Sequence, residues 1–525
     1  MCGIIAYLSK NEQDDSCFNN IKHRGPDSSS LLKLSTSEYK ITLGFHRLSI
    51  IDISGGDQPF IYTDKNKNKK IYLLCNGEIY NFKELSEKYG LNTNSDCRII
   101  LDMYLHGKTI YEIVEELDGE FAFIFLEIEN DDIHLYYARD RFGIRPMFHR
   151  IDDTGIYFSS ELKGIIDGDA IQVEPRKVYY TNMAEQFVYT YYHIGLKKYD
   201  LSSDIFKTIR DTFTQSIKDR LESERPIGAL LSGGLDSSLI CGIAAKILAK
   251  KNQRLNTFSI GMDEDSPDII NARKVAKHIN SIHHEIIIPV ETWLQNLKNV
   301  IKQIETYDIT TIRASTGQYL ISKWISENTD IKVILNGDGS DELTSGYLYF
   351  YNAPSAELSH FENLILLSQI HNYDVLRVDR GITSFGLESR VPFLSHNFVD
   401  MYLSIDKTLR NPIKDQRVEK YLLRQAFNDE NIIPNEVLWR QKEAFSDGCS
   451  NIKKSWYEHI QDYVDTQVSD TEVASGFKTK EAYWYYKTFK EFYPNSDLKI
   501  DYWLPKWSNE HNGDPSARKL NIYKS

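Results

Sequence analysis

Cysteine is scarce. The 525 residues carry six, Cys2, Cys17, Cys75, Cys97, Cys241 and Cys449, too scattered for a disulfide framework. No two stand in a Cys-x-x-Cys pair, so the spacing of a zinc site is missing, and no zinc or tightly bound organic cofactor is expected. Such a chain reads as a reduced protein of the cytosol. Long apolar runs are absent as well. No uncharged stretch approaches the ~18 residues of a membrane helix. Met1-Cys2-Gly3-Ile4 lacks the basic stretch and apolar core of a signal peptide. Positive charge is in deficit, with 62 Lys and Arg against 75 Asp and Glu, a net −13. Nucleic-acid binding needs clustered Lys and Arg, so neither nucleic acid nor membrane is an expected partner. There is no internal repeat and no low-complexity tract longer than Lys65–Lys70. At 41% hydrophobic residues, the chain is not a largely disordered one.

What is present falls into two rhythms, within a length that suits roughly two to four domains. The first ~190 residues are strand-rich. Ile71–Cys75, Phe121–Ile128 and Ile133–Ala138 are short β-branched or aromatic runs, with helical patterns at Phe82–Tyr89 and Asp96–His106. An α+β sandwich-like domain is predicted over 1-190. Beyond about residue 200, strands and helices alternate. Strands are predicted at Ile227–Leu231, Thr257–Met262, His284–Ile288 and Lys332–Leu335; helices at Ser238–Lys250, Asp268–Asn280 and Ala314–Ser326. Alternation predicts parallel strands with helical crossovers, an α/β doubly wound sheet over 205-525 that turns mostly helical after about 355. The polar, weakly periodic Tyr191–Asp200 marks the boundary.

The strongest local signal is Leu230-Leu231-Ser232-Gly233-Gly234-Leu235-Asp236-Ser237-Ser238, which ends a strand and opens a helix. Its glycines let backbone approach a ligand, and free N–H groups at the helix start favour an anion. Asp236 beside phosphate calls for a cation, which we read as Mg²⁺. The Gly-Lys-Ser/Thr of nucleotide triphosphatases is absent. A second turn, Asn336-Gly337-Asp338-Gly339-Ser340-Asp341-Glu342, follows another strand and should face the same crevice. The first loop resembles that of ATP pyrophosphatases, which adenylate a carboxylate or carbonyl and release pyrophosphate.

At the other end stands Cys2. With Met1 removed, its free α-amine, titrating near ~8, would serve as base to its own thiol. Four pieces accompany it: His23-Arg24-Gly25-Pro26-Asp27, Gly44-Phe45-His46-Arg47-Leu48-Ser49, Cys75-Asn76-Gly77-Glu78-Ile79-Tyr80-Asn81 and Asp96. The Asn76 side chain and Gly77 N–H suit an oxyanion. Arg47 and Asp96 suit the carboxylate and ammonium of a free amino acid. Taken singly, Asn76-Gly77 reads as a hairpin turn, Arg47 as a surface charge and Asp96 as a helix cap.

Together these pieces resemble a class II glutamine amidotransferase of the N-terminal nucleophile type joined to an ATP pyrophosphatase domain, as in the glutamine-hydrolysing asparagine synthetase family. The likeness extends to Thr306–Thr311, Gly346–Phe350, Ser389–Leu394, Trp439–Gly448 and Asp514–Arg518. It implies Cys2 as nucleophile, with glutamine contacts at Arg47, Leu48, Ser49, Ile50, Ile51, Asn76, Gly77, Glu78 and Asp96. It implies ATP contacts at Leu231, Ser232, Gly233, Gly234, Asp236, Ser237, Ile260, Asn336, Gly337 and Asp341. Asp236 and Asp341 would hold Mg²⁺, and Asp338 and Lys442 would assist adenylation. Glutamine, aspartate and ATP are the implied substrates, and a homodimer the implied assembly. The chain departs from the family's Ser-Gly-Glu-Gly at Asn336 and Asp338, and from its Asp at Ser395. Arg313, Arg380 and Arg390 are candidates for the aspartate α-carboxylate. A relative using another carboxylate, a weakened synthetase and a non-catalytic binder of ATP or glutamine remain as alternatives.

Overall fold

The computed structural model describes all residues except 13, 166–168, 414–415, 443–447, 451–453, 509–513 and 517–525. Glu443 to Asp447 of one motif, and Ala517 and Arg518 of another, therefore lie outside the described residues.

Two six-stranded antiparallel sheets form the N-terminal half. Its strands are β1 (Gly3–Ser9), β2 (Ser28–Ser35), β3 (Lys40–Arg47), β4 (Phe60–Asp64), β5 (Lys69–Ile79), β6 (Gly119–Glu129), β7 (Asp132–Arg139), β8 (Phe148–Asp152), β9 (Gly155–Ser159), β10 (Ile171–Gln172), β11 (Lys177–Thr181) and β12 (Gln186–Thr190). The sheet orders are β10-β8-β9-β1-β3-β2 and β12-β11-β7-β6-β5-β4. Why the central strands read as unbroken apolar runs is clear from β6. Phe121, Phe123 and Phe125 face the helices α1 (Phe82–Tyr89), α2 (Ile99–Leu105) and α3 (Ile110–Glu116), while Ala122, Ile124 and Leu126 face the other sheet. A strand buried on both faces loses its polar alternation. Each such Phe contributes roughly 1.5–3 kcal/mol of burial. The predicted sandwich is thus present, with helices on its outer side.

The C-terminal half is built on β13 (Ile227–Leu230), β14 (Asn256–Gly261), β15 (Ile282–Ile287), β16 (Val333–Leu335) and β17 (Glu388–Arg390), all parallel, in the order β15-β14-β13-β16-β17. Connections leave β13 and β16 in opposite directions, so a crevice opens beyond the carboxyl ends of these two strands. Its helices include α4 (Ile205–Asp219), α5 (Leu235–Ala249), α6 (Pro267–Ile279), α7 (Val290–Ile304), α8 (Ile309–Asn328), α9 (Ser340–Thr344), α10 (Ala356–Gln369) and α11 (Asp374–Thr383).

Three local expectations need correction. α8 starts at Ile309 rather than Ala314, because Asp308 Oδ2 accepts the Thr311 N–H at 2.8 Å and caps a β-branched first turn. α5 starts at Leu235 rather than Ser238, directly on Gly234. β17 lies in the stretch expected to be mostly helical; its Glu-Ser-Arg sequence has no β-branched or aromatic residue to announce a strand.

Charged pairs cross between the two halves with almost no exposure. Arg24 meets Asp379 at 2.8 Å and Arg390 meets Glu78 at 3.3 Å. Removing one partner of such a pair leaves an uncompensated buried charge.

Candidate functional site

Cys2 immediately precedes β1, the strand between β3 and β9. Its thiol lines a pocket of about 380 Å³ together with Arg47, Leu48, Ile50, Ile51, Gly77, Glu78 and Asp96. Two members of the predicted set stand just behind this wall. Ser49 gives its N–H to Asp27 Oδ2 at 2.9 Å, which ties it to the His23–Asp27 motif. The Asn76 Oδ1 accepts the Cys2 N–H at 2.9 Å, while its buried Nδ2 has no hydrogen-bond partner. Asn76 and Gly77 are not a hairpin turn; they sit inside β5, opposite Ala122 and Phe121 of β6. Gly77 is required there, since a Cβ would lie 2.5 Å from the Glu120 carbonyl oxygen. Arg47 is no loose surface charge either. Its guanidinium donates to the Ile53 carbonyl at 3.2 Å and to Asp57 at 3.1 Å. Asp96 does not cap α2; its Oδ2 accepts the Ile79 N–H at 2.9 Å.

Burial sets the protonation of this pocket. It pushes the Asp96 carboxyl up to about 6. It also raises Glu78 well above its ordinary range, against the opposing pull of Arg390. The Cys2 thiol is raised too, mainly by burial, with the nearby N-terminal charge opposing. Met1 is buried against Leu48, Ile50 and Val333. Its ammonium lies 3.2 Å from Glu388, a carboxylate of β17 that also lines the pocket. Burial alone would raise Glu388; the Met1 ammonium, Arg390 and Arg145 hold it at about 2. With Met1 in place the Cys2 nitrogen is an amide and cannot act as a base.

The second cavity, about 990 Å³, opens beyond β13 and β16. Ser232, Gly234, Asp236, Ser237, Asn336, Gly337, Asp338, Asp341 and Lys442 all line it, so both glycine turns face one space. Leu231 and Ile260 are buried in the core behind it. Gly233 is also behind the wall. It has φ 71°, a conformation glycine adopts freely, and a Cβ would meet the Ala272 nitrogen at 2.4 Å.

Asp236 and Asp341 are bridged by lysines in the free protein. Lys420 Nζ lies 2.6 Å from each carboxylate, and Lys442 Nζ lies 2.6 Å from Asp341. Burial would raise Asp341, but the two lysines hold it below the ordinary carboxylate range. Among the described residues no group of three His, Cys, Asp or Glu is arranged to hold a metal ion. Lys420 carried no sequence motif, and it enters the site only through the fold.

Asp338 is tethered on three sides. It pairs with Arg377, accepts from Gln318 Nε2 at 3.3 Å, and gives its own N–H to Asn336 Oδ1 at 3.0 Å. Asn336 Nδ2 is left without a partner. None of the three candidate arginines lines the cavity. Arg313 is held by Glu481 and Asp514, Arg380 by Glu305, and Arg390 by Glu388 and Glu78. Arg377 is there instead, between Asp338 and Asp374.

Comparison with known proteins gives a consistent result. The glutamine amidotransferase domain model matches residues 1–212, and the asparagine synthase model matches residues 208–366 and 356–512. Three curated proteins named asparagine synthetase (glutamine-hydrolyzing) align along the whole chain and 99% of their own length. The Gallus gallus protein is 41% identical over 571 residues, the Rattus norvegicus protein 42% over 569 and the Homo sapiens protein 41% over 569.

Proposed function

The chain belongs to the glutamine-hydrolysing asparagine synthetase family, and from that premise we propose that it makes asparagine from aspartate, ATP and the amide nitrogen of glutamine. We assign glutamine hydrolysis to residues 1–190 and synthesis to residues 205–525. The observation that carries the reading is the closeness of its two sites. Glu388 of β17 lines the Cys2 pocket, while Arg390 of the same strand accepts the N–H of Asn336, in the wall of the second cavity, at 2.9 Å.

In the first pocket, Met1 removal frees the Cys2 α-amine, which takes the thiol proton. The sulfur attacks the side-chain carbonyl of glutamine. Asn76 Nδ2, uncommitted in the free protein, and Gly77 N–H stabilise the oxyanion. The nitrogen leaves as ammonia with that proton, and water hydrolyses the thioester to glutamate. Arg47 orients the substrate carboxylate, and Asp96 meets its ammonium. Leu48, Ser49, Ile50, Ile51 and Glu78 complete the glutamine contacts.

In the second cavity, Ser232 to Ser237 and the Asn336-Gly337 turn receive ATP, with Leu231 and Ile260 behind them. A carboxylate oxygen of aspartate attacks the α-phosphorus and pyrophosphate departs. Lys442 and Lys420 offset the charge that builds on it. Ammonia then attacks the acyl carbon and AMP leaves. Asp236 and Asp341 suit Mg²⁺ arriving with ATP, because that ion takes one or two carboxylates plus phosphate oxygens. It would supply further charge compensation. Asp338 assists at the reacting carboxyl. The reading also makes the protein a cytosolic homodimer. No helix among the described residues is long and apolar enough to cross a membrane.

The test is mass spectrometry of products formed from amide-¹⁵N glutamine, aspartate and ATP. We expect labelled asparagine with one AMP and one pyrophosphate each. Glutamate released without asparagine would defeat the proposal.

A further inference from the structure

The second cavity has one wall that the mechanism barely uses. α8, α9, α11 and the turn after β16 bring Gln318, Asp338, Glu342, Asp374 and Arg377 to it. Three carboxyl groups there face one guanidinium. Arg377 is shared by Asp338 and Asp374, and Glu342 is bonded by the Tyr347 hydroxyl. The phosphate loop and the two lysines supply the opposite charge elsewhere in the same cavity.

Gln318 is the uncharged member of this group. It is buried, at 5% exposure, and its Nε2 donates to Asp338 Oδ2. That bond fixes which end of the amide is which, and it leaves Oε1 as a buried acceptor with no partner. Buried polar atoms without partners are rare, and each calls for a reason. A diacid whose reacting carboxylate lies towards Lys442 and the nucleotide must place its α-ammonium against some other part of the cavity. An acidic wall with a spare carbonyl oxygen suits a cation that carries three N–H donors.

Resting on the asparagine synthetase reading, we propose that Gln318 Oε1 accepts a hydrogen bond from the α-ammonium of the amino-acid substrate. Gln318 is thereby a specificity residue for α-amino diacids.

The experiment measures pyrophosphate release with ammonia as nitrogen source, in the full-length enzyme and in Gln318→Met and Gln318→Glu. Loss of one charge-assisted bond should raise the KM for aspartate roughly ten- to hundredfold in Q318M, with the KM for ATP and glutaminase activity unchanged. Q318E keeps an acceptor for the ammonium but repels Asp338. Its KM for aspartate should stay within about threefold while kcat falls. A merely structural hold on Asp338 would be lost in both variants and would not split KM from kcat in this way. A Q318M enzyme with a native KM for aspartate overturns the proposal, as does a Q318E enzyme whose KM rises as far as that of Q318M. A native enzyme that releases no pyrophosphate with aspartate and ATP defeats the parent reading instead.

Discussion

Beside their central residues, Cys2 in one and Asp341 in the other, the two cavities handle charge in opposite ways. Around Cys2 burial pushes the thiol, Glu78 and Asp96 up towards their neutral forms, whereas Glu388, met by the Met1 ammonium and two arginines, moves down. In the second cavity Lys420 and Lys442 hold Asp341 below its ordinary range, while burial raises Asp338 and Glu342 on another wall. The first arrangement suits the release of a nitrogen nucleophile that is useful only unprotonated. The second suits phosphate chemistry, where negative charge must be matched. One chain keeps both regimes by building the first within antiparallel strands and the second at the ends of parallel ones.

The most severe way to separate the two regions is Cys2→Ala. Glutamine-dependent asparagine formation should fall roughly 10,000-fold or more, while ammonia-dependent formation persists. Loss of both in a folded protein would show that the regions cannot be uncoupled. The reciprocal change is Lys420→Met, which removes the cation that lies 2.6 Å from both Asp236 and Asp341. Pyrophosphate release should drop roughly 100- to 1,000-fold with glutaminase activity retained; an unaffected rate would remove Lys420 from the site. Gly77→Ala sharpens the contrast at the first pocket. Its Cβ would collide with the Glu120 carbonyl oxygen. A melting curve should register a loss of about 1–3 kcal/mol, and glutaminase should suffer more than the ammonia-dependent reaction.

The mildest test uses pH. With Asp96 titrating at about 6, its carboxylate is present above that pH and lost as pH falls through it. kcat/KM for glutamine should therefore decline below about pH 6 in the free enzyme's profile. Asp96→Asn should lower the plateau and remove that limb; an unchanged limb would assign it to another group.

Much of this is legible in the amino-acid sequence. The apolar runs at Ile71–Cys75 and Phe121–Ile128 and the helix at Phe82–Tyr89 stand where patterning puts them, because burial and periodicity are local. The glycine turns announced one shared crevice for the same reason. What escaped was brought in from a distance. Lys420 is a lone lysine with φ 58° that reaches Asp236 across 184 positions. Glu388 sits in a three-residue strand without strand-like residues. The arginines failed as a guide because guanidinium groups are as useful in buried pairs as in substrate binding, and Arg313, Arg380 and Arg390 are all spent that way. Nothing local separated Arg377 from them.

The burial of Met1 has a bearing on timing. Its side chain is 1% exposed and its ammonium is closed in by Glu388. A folded molecule thus hides its first peptide bond from any exopeptidase. Trimming is therefore expected on the emerging polypeptide, before Glu388 of β17 can close over its end.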